Sequence, residues 1–118
     1  MKKLLNSFKY AFKGFSYATK TQLNFRIHLG VTAMALLLGW YLCVSTTEWL
    51  WIALTVTLVL TAELLNTAIE ILTDQVSPDW NEKAGHIKDV SAAAVTITAV
   101  FAVVVGCIIF LPKLVALF

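Results

Sequence analysis

The sequence predicts an all-α integral membrane protein, with an amino-terminal amphipathic surface helix followed by three transmembrane helices. Three observations carry this prediction. Of the 118 residues, 59% are hydrophobic and only 14% are charged, whereas soluble domains run at about half apolar and about a quarter charged. The apolar residues gather in three runs, at about 27–44, 49–72 and 90–111, each near the roughly 20 residues that a bilayer crossing requires. Eight of the nine Lys and Arg residues lie before residue 27 or between Lys83 and Lys88. The chain therefore reads as a single membrane-embedded domain, 1–118, with no length left for a separate soluble catalytic domain.

The amino-terminal segment, 1–26, is the expected interfacial helix. Phe8, Ala11, Phe12, Phe15, Ala18 and Phe25 recur at helical spacing, with Lys9, Lys13 and Lys20 on an adjacent stripe. Such a helix lays its aromatic face into the acyl boundary and its basic face against anionic headgroups; the plainer alternative is a positive-inside anchor with no further duty. Lysines interrupt every apolar core here, so no cleavable signal peptide is expected.

The first span, 27–44, ends at a polar turn of Ser45, Thr46, Thr47 and Glu48. Trp40, Tyr41, Trp49 and Trp51 flank that turn like an aromatic belt. A second helix starts near Trp49 and runs to about Asp74, where Ser77, Pro78, Asp79, Trp80, Asn81 and Glu82 form a polar loop. The third span is an Ala/Val/Ile run closed by Pro112. The basic residues place the amino terminus and the second loop on the cytoplasmic side, with Lys113 alone on the far side. Cys43 and Cys107 sit in apolar runs, where a thiol behaves as a small hydrophobe. No nucleic-acid partner is expected.

The second helix carries Glu63, Asn66, Glu70 and Asp74, which helical spacing brings onto one face. Glu63 lies 14 residues after Trp49, about 21 Å along the axis, which places it near the inner boundary of the bilayer with Glu70 and Asp74 at or beyond it. Lys88 and Asp89 precede the small-residue run Ser91, Ala92, Ala93, Ala94, which lets the third span pack closely and faces Lys88 toward the acidic stripe. Acids, an amide and a lysine at one depth supply what phosphoryl transfer needs: oxygen ligands for Mg²⁺, a base for a hydroxyl and a cation for phosphate. His28 and His86 read as interfacial or nucleotide-adjacent side chains, because Mg²⁺ prefers oxygen. Asp79 reads as a solvated loop acid, and Asp74 divides evenly between that and a site role.

Glu63-Leu64-Leu65-Asn66-Thr67-Ala68-Ile69-Glu70, then Asp74, then Lys88-Asp89-Val90-Ser91-Ala92-Ala93-Ala94-Val95, with Asn24-Phe25-Arg26-Ile27-His28 at the entry to the first span, resembles the prokaryotic diacylglycerol kinase family, which includes the undecaprenol kinases. The similarity covers nearly the whole chain. It implies a homotrimer with active sites shared between subunits in the bacterial inner membrane, ATP with Mg²⁺ as donor, and a lipid alcohol, diacylglycerol or undecaprenol, as acceptor. By the same resemblance Glu63 is the catalytic base and Asn66 the amide that orients its neighbours. Glu70 binds metal, and Lys88, Asp89 and Glu70 meet the nucleotide. Gln22 stands where family members often carry a second metal-binding acid; its carbonyl oxygen still ligates but brings no charge. The Val76-Ser77-Pro78 loop leans toward the undecaprenol type.

Other readings account for less. A proton-coupled transporter places its acid near the midplane beside a water path, whereas these acids cluster at one interface near basic residues. A non-enzymatic assembly subunit explains the Ala-rich third span but not the polar stripe. A purely structural role for Glu63 and Glu70 requires Lys88 or Asn66 to satisfy them. The chain has no G-x-x-x-x-G-K-[ST] motif, so its use of ATP does not depend on a P-loop.

Overall fold

Inside a bilayer each backbone N–H and C=O has to find its partner within the chain, and a helix does this along its whole length except at its ends. The computed structural model describes residues 1–118 and resolves the problem with four helices: α1 (Lys2–Thr21), α2 (Leu23–Tyr41), α3 (Thr46–Val76) and α4 (Glu82–Val115). Of these, α2, α3 and α4 are long and apolar enough to cross a membrane. The expected helices are present, but their ends differ from the sequence boundaries, in several cases because of a cap.

α1 and α2 are separated by one residue. Gln22 adopts an extended backbone (φ −110°, ψ 110°) that breaks the helical ladder, so α2 begins four residues before the expected start at 27. Ala18 and Phe25 are fully buried in this corner, where the Phe15 ring meets Phe25 edge to face at 5.1 Å. Arg26 Nη1 donates back to the carbonyls of Lys20 at 3.1 Å and Thr19 at 3.4 Å, satisfying acceptors that the end of α1 leaves open. Phe25 belongs to this joint, not to the lipid-facing stripe expected from its spacing.

α2 stops at Tyr41, short of Val44. The Val44 N–H bonds the Gly39 carbonyl and the Cys43 N–H bonds the Trp40 carbonyl, the pattern of a Schellman cap, with Cys43 at its left-handed position (φ 52°). Val44 then drops into a core formed with Ile52, Val105 and Ile109, against which Trp49 and Phe101 pack. Gly39 lets this corner close, because a Cβ there would lie 2.7 Å from Trp49 Cη2. Trp49 is thus a packing residue, while Trp40 and Tyr41 remain exposed as belt residues should be.

The segment expected as a polar turn is the capped start of α3. Ser45 Oγ accepts from the Glu48 N–H at 3.1 Å, and Glu48 Oε1 accepts from the Ser45 N–H at 2.9 Å, a reciprocal capping box. Lys113, from the far end of α4, reaches Glu48 Oε2 at 3.0 Å. Asn81 caps α4 by accepting from the Ala84 N–H at 2.9 Å, so Lys83 to Lys88 is helical instead of forming a loop. α4 also continues through Pro112 to Val115. α3 and α4 make an antiparallel hairpin with α2 laid against α3, and α1 folds back to touch α2 and α3.

The left-handed Cys43 yields a direct expectation. A side chain in that conformation costs about 1–2 kcal/mol, and glycine removes the penalty while adding some unfolded-state entropy. Cys43→Gly should raise stability by up to about 1 kcal/mol, read as a higher midpoint for thermal unfolding in detergent; a lowered midpoint would show that the cap is held by the thiol instead.

Candidate active site at the polar end of α3 and α4

An uninterrupted α3 keeps Glu63, Asn66, Glu70 and Asp74 on one face, as expected. Exposure rises along them: Glu63 is buried, Asn66 and Glu70 are half-buried and Asp74 is exposed. The stripe, about 16 Å long from Glu63 to Asp74, therefore runs from the packed interior to solvent on a single rigid element.

Glu63 is 3% exposed, and its partner comes from α2: His28 Nε2 lies 3.1 Å from Glu63 Oε1. A buried carboxylate needs a partner to offset its lost hydration, and neither Lys88 nor Asn66, the candidates considered from sequence, supplies it. Thr67 Oγ1 donates to the Glu63 backbone carbonyl at 2.9 Å and so leaves the carboxylate itself to His28. His28 was expected only as an interfacial or nucleotide-adjacent residue. An ionisable group one turn into a membrane helix was the available signal, but which acid it meets depends on how α2 crosses α3.

One turn along α3, Asn66 Nδ2 donates to Glu70 Oε1 at 3.2 Å. Asn66 Oδ1 is buried without any partner, and such an acceptor is costly to leave unsatisfied. The amide oxygen and the Glu70 carboxylate form a hard-oxygen pair of the kind Mg²⁺ takes together with water and substrate phosphates. No set of three or more His, Cys, Asp or Glu side chains converges to form a complete protein cage, and Mg²⁺ held with a nucleotide does not need one. Gln22 is not brought to Glu70: it sits at the α1–α2 joint with its amide donating to Thr21 Oγ1 at 3.3 Å.

Lys88 Nζ pairs with Asp74 Oδ1 at 2.6 Å, which brings the second turn of α4 beside the end of α3 and takes Asp74 out of the class of free loop acids. The hydrogen bond to Asp74 holds the Lys88 ammonium, which lies before the apolar run at 90–111, above its ordinary pKa, and the charges of Asp74 and Glu70 act in the same direction. Asp89 is exposed and makes no ion pair. His86 stands 3.6 Å from Glu82 on its own helix. On the other side of His28, an apolar groove of about 680 Å³ runs between α2, α3 and α4, lined by residues such as Val31, Leu38, Val59 and Val105.

Known proteins resemble the chain over most of its length. The prokaryotic diacylglycerol kinase family matches residues 9–110. A diacylglycerol kinase of Synechocystis is 43% identical over 97% of this chain, which spans 66% of that protein's length. An undecaprenol kinase of Bacillus subtilis is 34% identical over 97% of this chain and 93% of its own. A diacylglycerol kinase of Escherichia coli is 29% identical over 91% and 88%.

The exposure gradient can be read by cysteine labelling in a chain whose own Cys43 and Cys107 are replaced by alanine. A water-soluble maleimide should modify the Asp74→Cys variant at least about tenfold faster than the Glu63→Cys variant, with Glu70→Cys between them, since thiol reactivity follows exposure. Equal rates would mean that the stripe does not descend into the packed interior.

Proposed function

The chain belongs to the prokaryotic diacylglycerol kinase family, a family of lipid kinases, and from that premise we propose that it transfers the γ-phosphoryl group of MgATP to the hydroxyl of a lipid alcohol at the cytoplasmic face of the inner membrane. The observation that carries this reading is the buried Glu63, held by a histidine from another helix, at the head of a polar stripe that ends in a lysine-acid pair. Glu63 takes the proton of the lipid hydroxyl as its oxygen attacks the γ-phosphorus in line; the bond from that phosphorus to the β–γ bridging oxygen breaks and ADP departs, with no covalent phosphoenzyme. Asn66 orients its neighbours.

Glu70, with the free oxygen of Asn66, would hold Mg²⁺, which would supply neutralisation of charge on the phosphates; Gln22 would join them only by turning inward from the α1–α2 joint where it sits. Lys88 and Asp89 contact the nucleotide, and Lys88 adds a positive charge where negative charge develops. The groove beside His28 suits an acyl or prenyl tail entering from the membrane, and its uniform apolar lining does not measure the length of that tail. Diacylglycerol and undecaprenol both present a primary hydroxyl at this depth, and the relatives divide between the two. The exposed apolar faces of the helices and the incomplete metal shell of one chain suit a homotrimer in which neighbouring chains complete each site. α1, with Lys9, Lys13 and Lys20, lies on the cytoplasmic surface. The assay that tests the activity is labelled ATP with each lipid in turn, and transfer to neither would end the proposal.

Three variants examine the assigned roles. Glu63→Gln preserves shape but cannot accept a proton, so turnover should fall by roughly 10²-fold or more while the protein stays folded; near-normal turnover would remove Glu63 as the base. Glu70→Ala should raise the Mg²⁺ concentration for half-maximal activity at saturating ATP, and Gln22→Glu should lower it only where that side chain turns inward from the joint to the metal. A titration left unmoved by Gln22→Glu would show that Gln22 stays at the α1–α2 joint and leaves the metal to Glu70.

A further inference from the structure

His28 lies on a different helix from every acid of the stripe, yet its Nε2 sits 3.1 Å from Glu63 Oε1. The stripe explains why an acid is present; it does not explain why α2 brings a histidine to it. The side chains that could compete for Glu63 are otherwise engaged. Arg26, two residues earlier on α2, donates to the carbonyls at the end of α1. Lys88 is held by Asp74 and Lys113 by Glu48 at the other end of the bundle, and Asn66 gives its amide protons to Glu70. His28 is thus the one side chain paired with the Glu63 carboxylate.

We propose that His28 is a positioning residue for the transfer: its Nε2–H donates to Glu63 Oε1, fixes the rotation of the carboxylate and leaves Oε2 to take the proton of the acceptor hydroxyl. This inference rests on the reading of Glu63 as the base. A glutamate side chain turns about several bonds, and a misplacement of about 1 Å at a reacting group costs on the order of 10²-fold in rate. One hydrogen bond from a stiff imidazole on a separate helix removes that freedom. It also ties the orientation of the base to the way α2 lies on α3. His28 is about a quarter exposed while Glu63 is almost fully covered, and His28, unlike Glu63, is a lining residue of the apolar groove. The base is oriented from the side on which a lipid hydroxyl would arrive.

The contact needs a neutral N–H donor at the Nε2 position and does not need a titrating ring, which makes the glutamine variant informative, since its amide nitrogen lies as many bonds from the backbone as Nε2. In the full-length protein, with MgATP and the lipid alcohol that serves as acceptor, His28→Leu should lower kcat by about 10- to 100-fold with the KM for MgATP unchanged, and His28→Gln should recover activity to within about threefold of the parent. In a Glu63→Gln background, adding His28→Leu should lower the residual rate by less than about threefold, because the carboxylate to be positioned is already gone. Full activity in His28→Leu, or equal loss in both His28 variants, would overturn the proposal, as would a rise in the KM for MgATP accounting for the loss. A Glu63→Gln enzyme with near-normal turnover would instead remove the underlying assignment of the base, so the two failures are told apart by the Glu63 variant alone. If His28→Leu does not fold, as judged by its thermal unfolding in detergent, His28→Gln decides: recovery supports the proposal, and a folded but impaired enzyme overturns it.

Discussion

An ionisable carboxylate placed among apolar helices loses its hydration at a cost of several kcal/mol, and the only remedies are a partner or a path to water. Glu63 takes the first remedy through His28, and the geometry of the inner half of the bundle follows from that choice. α2 has to lie against α3 at the level of residue 63, which fixes where α2 begins. That start leaves a single residue between α1 and α2, so the joint folds sharply at Gln22, with Phe25 and Ala18 buried in it and Arg26 turned back to close the end of α1. Asn66, Glu70 and Asp74 take the second remedy in increasing degree as α3 rises toward solvent.

The opposite end of the molecule is organised by different chemistry. There the hairpin is closed by apolar packing of Val44, Ile52, Val105 and Ile109 and by helix caps, with the Glu48 carboxylate serving at once as half of a capping box and as the partner of Lys113. No side-chain nitrogen or oxygen at that end is left buried and unsatisfied; Asn66 Oδ1, at the other end, is the one such side-chain atom in the chain. The division follows the requirements of each end. Caps and core hold the helices in register at one end, and the end that carries the stripe keeps an unsatisfied acceptor, exposed acids and a lysine paired with one of them.

The helices themselves were legible because a bilayer demands long apolar runs, and those of α2, α3 and α4 are unmistakable. Their ends were less so. Ser45, Thr46, Thr47 and Glu48 look like a turn by composition, yet the S-x-x-E spacing is a helix start; Asn81 does the same for α4, converting an expected loop into helix. Cys43 gives no warning of its left-handed backbone, because a Schellman cap usually announces itself with glycine. The face shared by Glu63, Asn66, Glu70 and Asp74 could be read at once from helical spacing, which is a local property. The His28–Glu63 and Lys113–Glu48 contacts could not, since each joins residues of different helices and depends on the crossing and register that packing decides. Lys88 falls between these cases: its approach to the stripe was foreseen, but its partner is Asp74, the member of the stripe whose role had been left undecided.

A transfer between a lipid and a nucleotide has to join reactants that arrive from different phases, and a polar stripe on one helix is an economical way to do so. α3 is rigid over the interval from Glu63 to Asp74, so the distance between a base in the covered interior and a cation at the aqueous end is set by helical rise and not by a mobile loop. In the proposed reaction the lipid hydroxyl meets the stripe at its buried end and the nucleotide phosphates at its open end, with the reacting phosphorus between Glu63 and Lys88. The lysine is carried on α4, across an antiparallel contact that the Lys88–Asp74 and Lys113–Glu48 pairs hold at its two ends. In the proposal the base is oriented from α2, by His28. Each chemical group in the proposed site thus comes from a helix whose position is secured elsewhere in the bundle, so the four helices can present a site without a long catalytic loop.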